Sequence, residues 1–372
     1  MDTFLTEKHR AVRRATRAFC ERHVGPVARE IDAEARFPWE VVDRMGKLGY
    51  FGIQVPAELG GAGLDTLGYV VAIEEISRVC GGLGLCVTVH NSVAVYPLMA
   101  FGNDEQKQRL VPPLARGEKI GAFCLTEPNA GSDASGIEAT ARLDGDAYVV
   151  NANKIFVTNG GVADTCLIFA RTDPSAGRRG ISVVVAERGT PGFVTGDIED
   201  LTGMRSNPVS SIRLTDCRVP AGNLLAREGT GLRIGMAALD TGRIGIAAQA
   251  VGIAQAALEE AARYANQRHQ FSVPIGKHQS VANMVADMAT KVQAARLMVL
   301  RAAILRDRGA NFTEASAMAK LHASETASEV TDMAVQVHGG YGYSKSYPVE
   351  RYWRDARVTR IYEGTSEVHR AV

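Results

Sequence analysis

The spacing of apolar residues changes twice along the chain. Through roughly the first 120 residues it follows a helical period. Val12, Ala15 and Phe19 fall three or four apart, and Gly25-Pro26 breaks the run. Pro56 to Gly63 reads as a loop, and helical texture resumes from Leu67 to Phe101 with an interruption at Gly81-Gly82. Beyond Lys119 the pattern shortens into β-type segments at Ala139–Leu143, Ala147–Val150, Ile155–Thr158, Thr165–Ala170 and Ile181–Ala186. Asp144-Gly145, Asn159-Gly160 and Asp173-Pro174 supply the turns, and the pattern ends at Val219-Pro220. Strands at this spacing predict a β-sandwich or barrel, not a parallel sheet with crossover helices. From Gly231 the helical period returns, predicting long helices over Asp240–Gln267, Gln279–Asp307 and Thr313–Val337. On the second, Val281, Met284, Val285, Met288, Val292, Ala295 and Val299 form one bundle-type face. The third stops at Gly339-Gly340, a normal helix end. The expectation is a multi-domain α and β protein: an N-terminal α-helical domain over residues 1–120, a middle β-sandwich or barrel domain over 121–230, and a C-terminal four-helix-bundle domain over 231–372.

Composition narrows the function classes. With 42 basic residues against 41 acidic ones the chain lacks the basic excess of a nucleic-acid reader. Cys20, Cys80, Cys86, Cys124, Cys166 and Cys217 form no Cys-x-x-Cys pair, and no His cluster stands at zinc spacing, so no metal site is expected. They read as buried thiols in a reducing compartment. No apolar run approaches the ~18 residues of a membrane span. The stretch Met1 to Phe19 is Arg-rich, but it carries Asp2 and Glu7 and lacks an apolar core. It is expected to be a helix on the folded body rather than a secretory leader. A cytoplasmic location is the expectation, with a mitochondrial matrix protein stripped of its leader as the alternative.

Several common chemistries lack their motifs. There is no Gly-x-Gly-x-x-Gly after a strand, no P-loop, no His-Glu-x-x-His and no Gly-x-Ser-x-Gly. Four segments stand out instead. Phe123 to Asp133 (FCLTEPNAGSD) begins apolar, then offers hydroxyls and small residues whose backbone N–H groups a phosphate or ring edge could approach; it also reads as a strand followed by a turn. Lys154 to Gly160 (KIFVTNG) is a strand ending in a turn, where an aromatic is more often core than cofactor cover. Gln336 to Gly342 (QVHGGYG) pairs glycines with His338 at a helix end, and a surface histidine beside a cap is the plainer reading. Arg354 to Glu367 (RDARVTRIYEGTSE) sets Glu363 between an aromatic and a glycine. In apolar surroundings such a carboxylate has a raised pKa suited to a general base; in a solvated loop it does not.

These four segments, in this order, resemble the acyl-CoA dehydrogenase family over essentially the whole chain. The most specific are Arg354-Asp355 through Ile361-Tyr-Glu-Gly-Thr-Ser-Glu367 and Thr126-Glu-Pro-x-Ala-Gly-Ser-Asp133. The stretch Leu239 to Gln255 looks especially like the short-chain, butyryl-type branch. The resemblance implies FAD-dependent α,β-dehydrogenation of a short acyl-CoA to the trans-2-enoyl-CoA. Electrons would pass to an electron-transfer flavoprotein, and the assembly would be a homotetramer. Glu363 matches the family's catalytic base. Its backbone N–H, with a flavin ribityl hydroxyl, would hold the thioester carbonyl, an oxyanion-type stabilisation. Some branches carry the base on the long helix instead; that position is Gly242 here, which cannot serve.

The same resemblance places the cofactor. Phe123, Cys124, Leu125, Thr126, Gly131 and Ser132, with Phe156, Val157 and Thr158, match the flavin side of the β-domain, Thr126 and Thr158 as hydrogen-bonding groups. Arg268, Phe271 and Gln279 match the pyrophosphate and adenine end, partly across a subunit interface, as do Gln336, Val337, His338, Gly339 and Gly340. Thr365, Ser366 and Glu367 would complete the flavin site. Ser132, Asp240, Thr241, Gly242, Arg243 and Gly364 match acyl-CoA contacts. Three features depart from the pattern: Phe156 stands where many relatives have Trp, Ser272 replaces a glycine, and the chain stops at Val372 where relatives continue. Gly84 to Ser92 is expected to line the floor of the acyl pocket. No Arg or Lys occurs between Arg78 and Lys107, which argues against a distal carboxylate on the substrate. His90 reads as a satisfied polar histidine. The competing functions are an oxidase of the same fold and a non-catalytic acyl-CoA-binding or assembly protein.

Overall fold

The computed structural model describes residues 4–372. Of the Arg-rich N-terminal stretch, Met1 to Thr3 lie outside the described residues. The remainder forms α1 (Glu7–Phe19), extended by a π-helical turn at Cys20–Val24. α1 lies on the folded body, as expected: Arg17 pairs with buried Glu75 at 2.9 Å, and buried His9 meets Asp65, the N-cap of α4, at 2.9 Å.

Short helices α2 (Ala28–Ala33) and α3 (Trp39–Lys47) follow, then α4 (Thr66–Val79), α5 (Gly81–Val89), α6 (Tyr96–Phe101) and α7 (Asp104–Ala115). The interruption predicted at Gly81-Gly82 falls one residue earlier, at Cys80, whose extended backbone separates α4 from α5. The glycines open α5 instead, where side chains would collide with Met204, Ser206 and Asp355. A π-helical turn at His90–Val95 joins α5 to α6, so Gly81–Phe101 is one helical run. Contrary to expectation, this run of 21 residues is long and apolar enough to span a membrane by length and composition. Of its most apolar window, 83% is buried inside the protein, which is how a core helix passes that test.

The middle of the chain is all β: β1 (Gly121–Cys124), β2 (Thr140–Asp144), β3 (Ala147–Val157), β4 (Thr165–Arg171), β5 (Ile181–Glu187), β6 (Phe193–Ile198) and β7 (Ser210–Pro220). They form a half-barrel with strand order β1-β4-β2-β3-β7-β6 and β5 on β4. Most contacts are antiparallel. β4, however, runs parallel to β1 and touches β2 in parallel through Thr140 and Arg171 alone, so the sheet is mixed. Neither parallel contact uses a crossover helix. β4 and β5 are buried along almost their whole length, which suits their unbroken apolar runs. Two predicted segments, 147–150 and 155–158, are a single strand, β3, with a register shift between Lys154 and Val157.

The C-terminal region packs α8 (Gly231–Gln267), α9 (Gln279–Asp307) and α10 (Thr313–His338), with α11 (Val349–Val358) and α12 (Ser366–Ala371). A hairpin of β8 (His269–Gln270) and β9 (Val273–Pro274) joins α8 to α9. α9 has its predicted bounds, whereas α8 begins nine residues before the predicted Asp240. Of α9's predicted face, Met288, Val292, Ala295 and Val299 are buried, while Val281, Met284 and Val285 stay half-exposed. All six cysteines are free and buried.

Candidate active site

Helix α8 is the ruler of the site. Gly242 and Gly245 share one of its faces because residues three apart are neighbours on a helix. A side chain on Gly242 would run into the carboxylate of Glu363, and one on Gly245 into the Tyr69 hydroxyl and Thr88. One helix face therefore brings together the turn carrying Glu363 and the α4–α5 wall. Further up, Gly235 packs against Phe169, whose ring meets Phe123 of β1 at 4.7 Å.

Glu363 sits in the turn between α11 and α12. Its backbone is left-handed at φ 51°, and Gly364 follows at φ 102°. Such a conformation in a non-glycine residue costs energy, so the surroundings must hold it. Several contacts do. Lys320 of α10 donates to the Gly364 carbonyl at 2.6 Å, Ser366 donates to Glu325 of α10 at 2.7 Å, and Arg360 pairs with the same carboxylate at 2.9 Å. Thr365 caps α12 by accepting from Val368 N–H. Before the turn, Tyr362 donates to Gln249 at 2.7 Å, and Asp355 accepts from Met204 N–H at 2.6 Å. Burial pushes the Asp355 carboxyl up to about 6.

Both carboxylate oxygens of Glu363 are buried without a hydrogen-bond partner, and its backbone N–H has no acceptor among the described residues. Desolvation pushes its pKa up to about 7, against the opposing charges of Lys320 and Arg243. The solvated-loop reading of Glu363 is thereby overturned. Nearby orphaned atoms include Arg243 Nε, Thr88 Oγ1 and both ring nitrogens of His369. Buried polar groups are rarely left unpaired, so this cluster marks where a polar ligand belongs. Arg243 spends its other end on Asp240 at 2.6 Å, which also accepts from Thr313. Thr241 is buried and bonds its own helix at Ala237.

The segments expected to face a flavin, Phe123–Ser132 and Phe156–Thr158, are tied into one unit. Ile155 N–H donates to the Thr126 carbonyl at 3.0 Å. Lys154, fully buried, donates to Leu125 O at 3.1 Å and pairs with Glu127 at 2.6 Å. Cys124, Leu125 and Val157 point into the core, so they can offer a ligand only backbone. Thr126 and Thr158 are half-buried, and Gly131 and Ser132 are exposed on the loop after β1. Phe156 has φ 50° at the register shift and is 59% exposed, so it is not the core aromatic that its strand position suggested. A bulge that turns a large aromatic outward suits a flat ring as its partner.

The remaining predicted residues lie elsewhere. Gln336, Val337, His338, Gly339 and Gly340, with Arg268 and Tyr341, line a cleft of about 640 Å³ at the far end of α10. From Lys320 to Gln336 the helix rises roughly 24 Å at about 1.5 Å per residue. Within one chain these residues and Glu363 are not brought together. His338 is buried, not a surface residue: Nδ1 donates to Ala334 O at 2.7 Å, the ring stacks on Tyr264, and Nε2 has no partner. Side chains at Gly339 and Gly340 would meet open space. Phe271 projects from the β8–β9 hairpin, 89% exposed, and Gln279 is exposed at the start of α9. These groups suit a pyrophosphate and an adenine: an exposed cation, approachable backbone and an unpaired ring nitrogen.

His90 is satisfied at both nitrogens, accepting from Gly121 N–H at 3.0 Å and donating to Leu114 O at 3.1 Å. Sequence reasoning missed Lys320, His369 and the Lys154–Glu127 pair. Lys320 left a legible signal: it interrupts a stripe of small buried residues (Ser316, Ala317, Ala323, Ser324, Ala327) at helical spacing.

Models of the acyl-CoA dehydrogenase N-terminal, middle and C-terminal domains match residues 6–118, 122–217 and 229–372. The short-chain specific acyl-CoA dehydrogenase of Clostridium acetobutylicum is 49% identical over 372 residues, covering 100% of this chain and 98% of that protein. Butyryl-CoA dehydrogenase from Megasphaera elsdenii superposes with a TM-score of 0.98 at 43% identity, covering 100% of this chain and 98% of that one. A chain solved in work on the electron transferring flavoprotein of Acidaminococcus fermentans and flavin-based electron bifurcation matches with a TM-score of 0.98 at 47% identity, again over 100% of this chain and 98% of that one.

Proposed function

The chain belongs to the acyl-CoA dehydrogenase family, and from that premise we propose that it oxidises a short, butyryl-type acyl-CoA with Glu363 as the base. FAD is the cofactor, as in the family, and the enzyme is a flavin oxidoreductase. The observation that carries the residue assignment is the Glu363 carboxylate: desolvated, unpaired, and raised to about 7. A base poised near neutrality takes a proton without being permanently protonated or too weak to act.

The residues perform distinct tasks. Phe156, Thr126 and Thr158 would hold the flavin ring, with Thr365 to Glu367 closing the site. Bound there, the flavin supplies the acceptor for the hydride leaving Cβ. Glu363 takes the α-proton through its carboxylate, while its own unengaged N–H would donate to the thioester oxygen as negative charge develops there. One residue in both roles makes the left-handed turn at 363–364 part of the machinery. Arg243 and Asp240, with Ser132 and Gly364, would contact the acyl-CoA.

The cleft at Arg268 and Gln336–Gly340 would hold the pyrophosphate and adenine of a flavin whose ring lies in a neighbouring subunit. The ~24 Å run of α10 between the two clusters supports a site shared between subunits; the homotetramer rests on the family resemblance. The electron-transfer flavoprotein is the proposed electron acceptor, supported by the resemblance and by the context of the Acidaminococcus match. The division into domains at 120/121 and 230/231 follows the change from helices to strands and back. A cytoplasmic home is supported by the bacterial relative. The non-catalytic reading has nothing in its favour while Glu363 stands in the site. The test is product analysis: butyryl-CoA and an electron-transfer flavoprotein should yield trans-2-butenoyl-CoA, and absence of any enoyl product from a panel of short acyl-CoAs would refute the reading.

A further inference from the structure

Lys320 is fully buried on α10, and no carboxylate stands within ion-pair distance of it among the described residues. An isolated buried ammonium is expensive, so its presence in a stripe of small residues requires a use. Its one hydrogen bond goes to the Gly364 carbonyl at 2.6 Å, at the second of two consecutive left-handed residues. Five residues on along α10, Glu325 holds Ser366 and Arg360. One helix thus grips the catalytic turn at two points, and Lys320 takes the point adjoining the base.

We propose that Lys320 is a positioning residue for Glu363: its amine anchors the Gly364 carbonyl, keeping the turn left-handed, and its charge favours the ionised carboxylate. This rests on the reading of Glu363 as the base. Lys320 acts through Glu363 and is not assigned a contact with substrate.

The charged and titratable groups around Glu363 come from every packed element. α8 brings Arg243, already paired with Asp240 at 2.6 Å. α4 brings Tyr69 and the turn itself brings Tyr362, both held neutral by burial and by the charge of Glu363. α12 brings His369 against Gly364, kept neutral by burial and by the neighbouring cations, with its pKa pushed down to about 3. Lys320 is therefore the cation whose charge is not spent on another carboxylate. Burial pushes its pKa down to about 7, and Glu363 is the largest influence opposing that fall. Each group favours the charged form of the other, so removing Lys320 raises the pKa of Glu363.

The test compares Lys320→Met, which loses charge and donor, with Lys320→Gln, which loses charge but keeps an N–H donor. kcat and kcat/KM for the preferred acyl-CoA are followed from pH ~5 to pH ~9, with flavin content and thermal midpoint as controls. The acid limb of kcat/KM should move to higher pH in both variants, by about one unit, or about tenfold in rate below it. On the alkaline plateau Lys320→Gln should recover kcat relative to Lys320→Met. An unmoved acid limb in both flavin-loaded variants overturns the proposal. So does loss of folding in both, which would assign Lys320 to the stability of the bundle. Glu363→Gln separates the two levels: if it is inactive and the acid limb does not move, only the role of Lys320 fails; if it stays active, the base assignment fails first.

Discussion

The two ends of α10 face opposite problems. At the Lys320 end, the Glu363 carboxylate is buried, and its oxygens have no hydrogen-bond partner. At the Gln336–Gly340 end, the surface is open, with Arg268 exposed and Phe271 standing 89% out of the fold. Burial suits a base, because desolvation lifts the Glu363 carboxyl toward neutral pH. Exposure makes a binding edge, because a large charged cofactor must arrive from solvent or from a neighbouring subunit. The groups around Glu363 all come from one chain, whereas Phe156, Thr126 and Thr158 do not line the cleft at Arg268 and Gln336–Gly340.

The sharpest way to break this contrast is to remove the base and leave the cleft alone. Glu363→Gln should lower kcat by about 10²–10⁴-fold, because the amide accepts no proton, with flavin content unchanged. Gly242→Ala comes next: the added methyl meets the Glu363 carboxylate, and an overpacking cost of about 1–3 kcal/mol should appear as a roughly tenfold to hundredfold loss in kcat/KM. At the other end, Arg268→Ala should leave the chemistry intact and weaken flavin retention by about tenfold, read by dialysis and visible absorbance. Unchanged flavin content would remove Arg268 from the phosphate site. The smallest effect is on stability. The folded pKa of Glu363 lies above its unfolded value, so the native state binds the extra proton and stability falls as pH rises from the usual carboxylate range through about 7. Glu363→Gln removes that penalty, so the flavin-free variant should melt a few degrees above the parent at pH ~8, and the gap should close toward pH ~5.

The same contrast explains what the sequence could show. The bounds of α9 and the end of α10 were legible because apolar spacing and paired glycines act locally. The first turns of α8 were not, since Gly231 and Gly235 weaken the helical pattern and are explained only by Ile181 and Phe169 across the interface. β7 alternates buried positions with outward Arg213, Asp216 and Arg218, the ordinary signal of a half-buried strand, so it was legible although it was not named; β6 is largely exposed and carries little apolar signal. Glu363 was picked out by resemblance, whereas its burial came from Gly242 and Lys320, far away in the chain. His338 looked like a surface cap because nothing local announces the stacking of Tyr264 on its ring or the edge contact of Tyr347. For α8, Glu363 and His338 the missing information was a contact between distant segments.

A flavin and Glu363 together are proposed to oxidise a short acyl thioester. Anaerobic titration of the purified protein with acyl-CoAs, followed by visible absorbance, tests this most directly. Butyryl-CoA or isobutyryl-CoA should bleach the flavin while octanoyl-CoA does little. A yellow protein that no acyl-CoA reduces would contradict the claim.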